Sequence, residues 1–332
     1  VSTKHKKVVV FRAIPEDLLA RIQQQHEVVV TDPRGPEGNK RFIHEIQDAN
    51  GLIGSSVKLG RSELAGALNL EVISSISVGV DNYDLGALSD RGITLCHTPG
   101  VLTETTADTI FGLILCTMRR MPELSRYVRD GKWHKNIGED LFGWDVHGKT
   151  LGILGFGRIG QAVAKRAALG FGMSVVFHSP SKFAVSPAMG NLRQGTFDEV
   201  LRTADIVVST LPLTDQTRGL IDANAFSAMK PGAVFINGSR GAIVQESALL
   251  EALDHGSLRA AGLDVFETEP LPLDSPLRTH PKVTAFPHIG SATHETRRVM
   301  AEMATENLLL VLSGQSPLAK FELASQRNGM SS

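Results

Sequence analysis

The chain has 332 residues, and at roughly 150 residues per domain this length suggests about two domains with a core each. Lys and Arg number 34 and Asp and Glu 35, a formal charge of −1, which argues against binding nucleic acid through a generally basic surface. Aromatic residues make up 5% of the chain, too few for base-stacking platforms, whereas glycine is in surplus, and glycine clusters often mark close backbone approaches.

Short apolar runs recur along the chain at intervals that leave room for helices. The first series is KVVVF (7–11), EVVV (27–30), GLIGS (51–55), EVISSISV (71–78) and GITLCHT (92–98). The second is TLGILG (150–155), SVVFHS (174–179), DIVVST (205–210), AVFING (233–238), AAGLDVF (260–266) and KVTAFPH (282–288). Val/Ile runs without polar alternation predict strands buried on both faces, as in parallel sheets covered by helices. Segments such as 158–170 and 245–256 read as the intervening helices, the latter capped by Gly256. Alternating strand and helix therefore predicts an α/β architecture with two doubly wound parallel sheets, one flavodoxin-like and one Rossmann-like.

Two longer helices are expected. One covers 103–120, from a capping Thr103 to Arg119 and Arg120, a charge order that suits the helix dipole. The other covers 292–313 and stops at Gly314, with a loose polar tail after it. Cys96 and Cys116 are too few for a disulfide framework and read as small core residues of a reduced, intracellular chain. The apolar run after the basic start is too short for a signal peptide. ADTIFGLILCTM holds Asp108 and is too short to span a bilayer. A soluble, cytoplasmic protein with no membrane or nucleic-acid partner is the expectation.

The most specific local signal is Gly155-Phe156-Gly157-Arg158-Ile159-Gly160. It follows one predicted strand and opens one predicted helix, the context that a dinucleotide fingerprint requires. Gly155 permits the tight turn, Gly157 lets a pyrophosphate approach the backbone, and Gly160 lets the helix pack on the strand. The diphosphate then faces unpaired N–H groups at a helix N-terminus, where Arg158 adds charge. About 20 residues on, an acid would hold the ribose 2′-hydroxyl of NAD. Here no Asp or Glu lies between Phe177 and Lys182. Ser179, Ser181 and Lys182 offer hydroxyls and a cation instead, which suits a 2′-phosphate and favours NADP(H), with NAD(H) second.

Three later segments place charged or titratable groups at strand ends: Arg240 after AVFIN, Asp264 and Glu269 in DVFETEP, and His288 in VTAFPH. In an open α/β sheet ligands bind beyond the carboxyl ends of strands, so these residues converge on one crevice. His294 and Glu295 are adjacent on a helix and do not face one another, so no metal site is expected.

These segments resemble the D-isomer-specific 2-hydroxyacid dehydrogenase family, nearest its glyoxylate/hydroxypyruvate reductase branch, which includes 2-ketogluconate reductases. The resemblance is carried by SVGVDN (77–82), HTPGVLTETTAD (97–108), GILGFGRIGQAVAKRA (152–167), LPLTDQTRGLI (211–221), FINGSRG (235–241), AAGLDVFETEPL (260–271) and PHIGSATHETR (287–297), in the family's order. The first 70 residues follow it only in general pattern, and the tail after Pro317 departs from it. The resemblance implies Arg240, Glu269 and His288 as the catalytic set. It implies that the Val78 and Gly79 N–H groups hold the substrate carboxylate, with Ser55 as a weaker candidate. It places Thr106, Gly238, Ser239, Asp264 and Gly290 beside the nicotinamide, and Leu211, Pro212 and Thr217 on the adenosine side. It implies a small 2-keto acid substrate, hinge closure between domains, and a homodimer built on the 103–120 helix and the segment to about 150. The domain plan is then 1–99 and 291–332 for the substrate domain and 100–290 for the cofactor domain. A nucleotide-sensing corepressor of the same fold is the competing reading from another class, disfavoured by near-neutral charge. A phosphoglycerate or formate dehydrogenase is nearer in chemistry and disfavoured by the missing ribose acid.

Overall fold

The structure, a computed structural model, describes residues 5–322. It divides into two compact units, one made of residues up to Leu102 and from Thr293 on, the other of Thr103–Ala292.

The first unit holds a five-stranded sheet. Its strands are β1 (Lys7–Val10), β2 (Glu27–Val30), β3 (Gly51–Gly54), β4 (Val72–Ser75) and β5 (Thr94–Cys96). They lie in the order β2-β1-β3-β4-β5 and every pair is parallel. Helices α1 (Glu16–Gln23), α2 (Gly35–Glu45), α3 (Arg61–Leu64) and α4 (Leu85–Asp90) connect the strands. Buried Phe11, Phe42, Leu52, Ile73, Leu88 and Leu95 share one core cluster on this sheet.

The second unit opens with α5 (Thr103–Met118) and α6 (Met121–Arg129). Its seven strands are β6 (Thr150–Leu154), β7 (Ser174–His178), β8 (Leu192–Gln194), β9 (Ile206–Ser209), β10 (Ala233–Asn237), β11 (Leu258–Leu263) and β12 (Val283–Ala285). Their order is β12-β11-β10-β9-β6-β7-β8, again parallel throughout. Helices α7 (Arg158–Lys165), α8 (Phe197–Thr203), α9 (Ala223–Ala228) and α10 (Glu246–Asp254) link them. Successive residues of the central strands enter different cores: Val234 and Ile236 pack in one, Ala233 and Phe235 in the other. Both faces are covered, which is why these strands read as unbroken apolar runs. After β12 the chain forms α11 (His294–Leu312), capped by the Thr293 hydroxyl accepting from the Thr296 N–H, and packed on β3, β4, β5 and α1 of the first unit.

Several expectations need correction. Strand β2 is an edge strand with exposed Glu27 and Val30, so an apolar run alone does not imply two covered faces. The helix expected over 103–120 stops at Met118, and Thr103 is its first residue rather than its cap. Arg120 adopts a left-handed φ of 55° and begins α6, with its guanidinium on Glu123 and the Asp140 carbonyl. The helix expected over 158–170 is regular only to Lys165 and continues as a wider turn over Arg166–Gly170. Strand β8 has no counterpart among the sequence expectations. The tail is not loose where it is described: Lys320 bridges Cys96 in antiparallel fashion, and the Phe321 N–H donates to the Leu95 carbonyl at 2.7 Å. The rest of that tail, residues 323–332, lies outside the described residues.

Candidate active site

The glycine loop leaves β6 and enters α7. Gly155 has φ +93°, and a Cβ there would sit 2.9 Å from the Leu211 nitrogen. A Cβ on Gly160 would lie 2.3 Å from the Gly155 carbonyl oxygen, so the helix reaches the strand only without a side chain. Gly157, the N-cap of α7, is exposed, and a Cβ on it would meet nothing within 4 Å. No side chain caps the first N–H groups of α7. Open space over uncapped, dipole-favoured donors fits a dinucleotide pyrophosphate. Arg158 is exposed beside it. Phe156 and Ile159 turn inward: Phe156 is 5% exposed and stacks on Phe177 at 3.6 Å, and Ile159 packs on the same core. Only their backbone remains for a ligand.

At the exit of β7, Ser179 is partly buried while Ser181 and Lys182 are exposed. Gln194 on β8 holds this loop, donating from Nε2 to the Ser179 and Ser181 carbonyls at 3.1 and 2.9 Å and accepting from the Phe183 N–H at 3.0 Å. Sequence reading missed Gln194, because nothing in LRQ marks a strand. Leu211 is buried in a core cluster, and the Thr217 hydroxyl donates to the Pro212 carbonyl at 2.6 Å, so these three shape the turn after β9.

The exits of β10, β11 and β12 bring the titratable residues together. His288 Nδ1 lies 2.7 Å from Glu269 Oε2, and Glu269 Oε1 accepts from the Phe266 N–H at 3.0 Å. Burial pushes the Glu269 carboxyl up, but the hydrogen bond and charge of His288, the Phe266 N–H and the Arg240 charge outweigh it and hold the group below its ordinary range. A carboxylate on Nδ1 fixes the ring and leaves Nε2 as the outward nitrogen. His288 has a left-handed φ of 53°, costly for a residue with a Cβ and typical of functional positions.

Asp264 keeps that conformation in place. It is 3% exposed, and its two oxygens accept from the Ile289 and Gly290 N–H groups at 2.8 and 2.9 Å. Burial raises its carboxyl above the ordinary range despite those bonds. A Cβ on Gly290 would lie 3.3 Å from both Asp264 Oδ2 and Thr106 Cγ2, so buried Thr106 borders the same spot.

Arg240 is half-buried and donates from Nη1 to the Ser239 carbonyl at 2.9 Å. Its own carbonyl accepts from Asn237 Nδ2 at 3.0 Å, and Asn237 Oδ1 accepts from the Ser239 hydroxyl at 2.7 Å. Ser209 on β9 joins this buried network at 2.9 Å from Ser239 Oγ. Asn237 and Ser209 were not singled out in the sequence; a polar residue closing an apolar run is the only signal they carry. Gly238 is a packing glycine, since a Cβ would lie 2.4 Å from Ile110 Cγ1 of α5.

In the first unit, Ser77, Val78 and Gly79 follow β4. The Ser77 carbonyl accepts from the Thr98 N–H at 2.9 Å, and His97 Nδ1 lies 3.1 Å from the Val78 carbonyl. Among the described residues the Val78 and Gly79 N–H groups enter no backbone hydrogen bond. Ser55 is 5% exposed and accepts from Arg12 Nη1 at 2.6 Å.

Residues 111–290 match the family described as D-isomer specific 2-hydroxyacid dehydrogenase, NAD binding domain, so the glycine loop and strand-end cluster belong to a nicotinamide-dependent dehydrogenase. The chain belongs to that family. It is 48% identical over 307 residues to a glyoxylate/hydroxypyruvate reductase B of Yersinia pestis, covering 92% of this chain and 94% of that protein. Among solved structures, a protein from Thermus thermophilus superposes with a TM-score of 0.88 at 42% identity, covering 95% of this chain and all of that one. An NADPH-dependent glyoxylate/hydroxypyruvate reductase from Sinorhizobium meliloti, solved with NADP and malonate, gives 0.85 at 30% identity, covering 96% and 98%.

Proposed function

We propose that the chain reduces small 2-keto acids, glyoxylate and hydroxypyruvate foremost and 2-ketogluconate besides, to D-2-hydroxy acids with NADPH preferred over NADH. The observation that carries this is the His288–Glu269 pair, 2.7 Å apart, on a left-handed backbone position tied down by Asp264. When bound, the nicotinamide supplies a hydride to the carbonyl carbon. His288 gives a proton from Nε2 to the carbonyl oxygen and takes it back in the reverse direction. Glu269 holds the ring through Nδ1 and leaves Nε2 facing outward. Arg240 offers a planar cation to the carboxylate and to the oxygen on which negative charge develops. The Val78 and Gly79 N–H groups hold the substrate carboxylate. Thr106, Asp264 and Gly290 border the nicotinamide, with Gly238 and Ser239 behind it. Gly155, Gly157 and Gly160 receive the pyrophosphate beside Arg158, while Ser179, Ser181 and Lys182 receive the 2′-phosphate.

Malonate in the Sinorhizobium structure supports a carboxylate-binding site, and the absence of an acid between Phe177 and Lys182 supports the NADPH preference. The same reading takes the protein as a cytoplasmic homodimer. Exposed Trp133, Ile137, Phe142 and Trp144 after α6 supply the apolar surface a second copy needs, and a single-chain mass in sedimentation removes that part. The decisive experiment follows absorbance at the nicotinamide band on adding glyoxylate or hydroxypyruvate with each cofactor. Oxidation faster with NADPH is expected; no oxidation with either acid overturns the proposal.

A further inference from the structure

The order β2-β1-β3-β4-β5 changes direction between β1 and β3. At such a switch point the connections leave to opposite faces, and a crevice opens beyond the carboxyl ends of the two strands. Arg12 lies just beyond β1, and Ser55 and Ser56 just beyond β3. Arg12 Nη1 donates to Ser55 Oγ at 2.6 Å and reaches Ser56 Oγ at 3.3 Å. Ser56 holds a left-handed φ of 64° there. Both hydroxyls accept from arginine, so their own O–H groups remain to donate.

A second guanidinium comes from α11. This helix packs on β3, β4 and β5 and touches α1: Arg298 in its second turn binds both oxygens of Asp17 on α1 at 2.6 and 2.7 Å, and Leu312 at its far end accepts from the Nζ of Lys6, the residue before β1, at 2.8 Å. The start of α11 therefore stands at the carboxyl edge, beside the start of α1, the helix that follows β1, and Arg297 stands there with it. Burial and then the charge of Arg12 lower the proton affinity of Arg297, and burial lowers that of Arg12. Among the described residues no carboxylate pairs with either, although neighbouring Arg298 takes both Asp17 and Glu302. Two half-buried like charges without a counter-ion are unfavourable, and an anion between them relieves both costs.

We propose that Arg12 and Arg297, with the Ser55 and Ser56 hydroxyls, form a subsite for an anionic group at the far end of the 2-keto acid. The subsite rests on the proposed function, which puts the reacting carboxylate at Val78 and Gly79. Those residues follow β4, the next strand along the same edge. Two inter-strand spacings separate the exits of β4 and β1, roughly 10 Å. Arginine side chains close part of that gap, and an acid of four or five carbons bridges the rest. The terminal group is a carboxylate or a phosphate, which present the same oxyanion to two guanidiniums.

The test measures kcat/KM for oxaloacetate, 2-oxoglutarate and 3-phosphohydroxypyruvate against uncharged-tail 2-oxobutyrate and 2-oxopentanoate. Wild-type enzyme is expected to favour a charged tail by roughly tenfold or more. Arg297→Met and Arg12→Met are each expected to remove most of that preference through KM, with Arg297→Lys keeping part of it. The preference is a ratio within one variant, so loss of folded protein cancels. The charged series that shows the preference identifies carboxylate or phosphate as the occupant. Normal glyoxylate turnover with no tail preference, or a preference untouched in both Met variants, overturns the subsite alone. Wild-type enzyme inert towards every acid overturns the proposed function and the subsite with it.

Discussion

At the exit of β6 the chain removes side chains, and at the exits of β11 and β12 it adds them. Gly155, Gly157 and Gly160 leave bare backbone N–H groups at the start of α7, with open space over Gly157. On the same carboxyl edge, Asp264 binds two N–H groups of the following loop and presents His288 to Glu269 at a strained φ. The first surface depends on what is absent and tolerates little added volume. The second depends on a chain of side-chain contacts, each of which must be kept. Binding and chemistry are thereby separable within one sheet, and substitutions on the two sides should fail differently.

The largest expected effect is on the side-chain half. His288→Gln should lower kcat by roughly 10²–10⁴ while NADPH still binds, as followed by fluorescence titration; unchanged turnover removes the proton-transfer role. Glu269→Gln comes next. Glu269 sits below its ordinary range because pairing with His288 outweighs burial, so it is ionised at neutral pH and anchors the ring through Nδ1. Without that carboxylate the ring loses its anchor, and kcat should fall by roughly tenfold or more in steady-state assays while KM for NADPH holds; wild-type turnover removes the positioning role. The sign for stability follows from the same direction. A carboxyl whose folded value is depressed contributes above its unfolded value and loses that contribution as pH falls through the folded one. Urea titrations should therefore show the gap between wild type and Glu269→Gln shrinking as the medium is acidified. A gap that widens instead breaks the pairing argument.

The bare-backbone half should respond in binding alone. Gly157→Ala meets no atom within 4 Å, so Tm should hold while NADPH affinity falls by about tenfold. A matching loss of Tm would place Gly157 in the packing with Gly160. The smallest effect is expected from Lys182→Ala, a few-fold rise in KM for NADPH with little change for NADH. Equal changes for both cofactors remove the 2′-phosphate argument.

The two halves were also unequally legible. The glycine loop could be read from sequence because its requirements are local: a turn, an approach and a close packing within six residues. The central strands could be read because both faces of the sheet are covered. Arg240, Glu269 and His288 could be placed at strand ends, but the contacts that hold them could not. Ser209 and Gln194 are ordinary polar residues until neighbouring strands bring them to Ser239 and to the Ser179 loop, and Asn237 until the turn after β10 folds the Arg240 carbonyl back onto it. Helix α6 was not expected, although Pro122 in its first turn is a helix-start signal. The pairing of Phe321 with Leu95 links segments too far apart for any periodicity to reveal.

Helix α11 also sets an order of events during synthesis. Its residues follow the seven-stranded unit in the chain and reach back to the five-stranded one: Lys6, just before β1, donates to the Leu312 carbonyl, and the buried Ser74 hydroxyl of β4 donates to that of Ala304 at 2.7 Å. The seven-stranded unit, complete at Ala292, has its whole sheet available on the ribosome while the five-stranded sheet still lacks the helix over one face. The five-stranded unit is thus begun before the seven-stranded one and finished after it, and a chain cut short before α11 leaves β3, β4 and β5 with apolar surface open to aggregation.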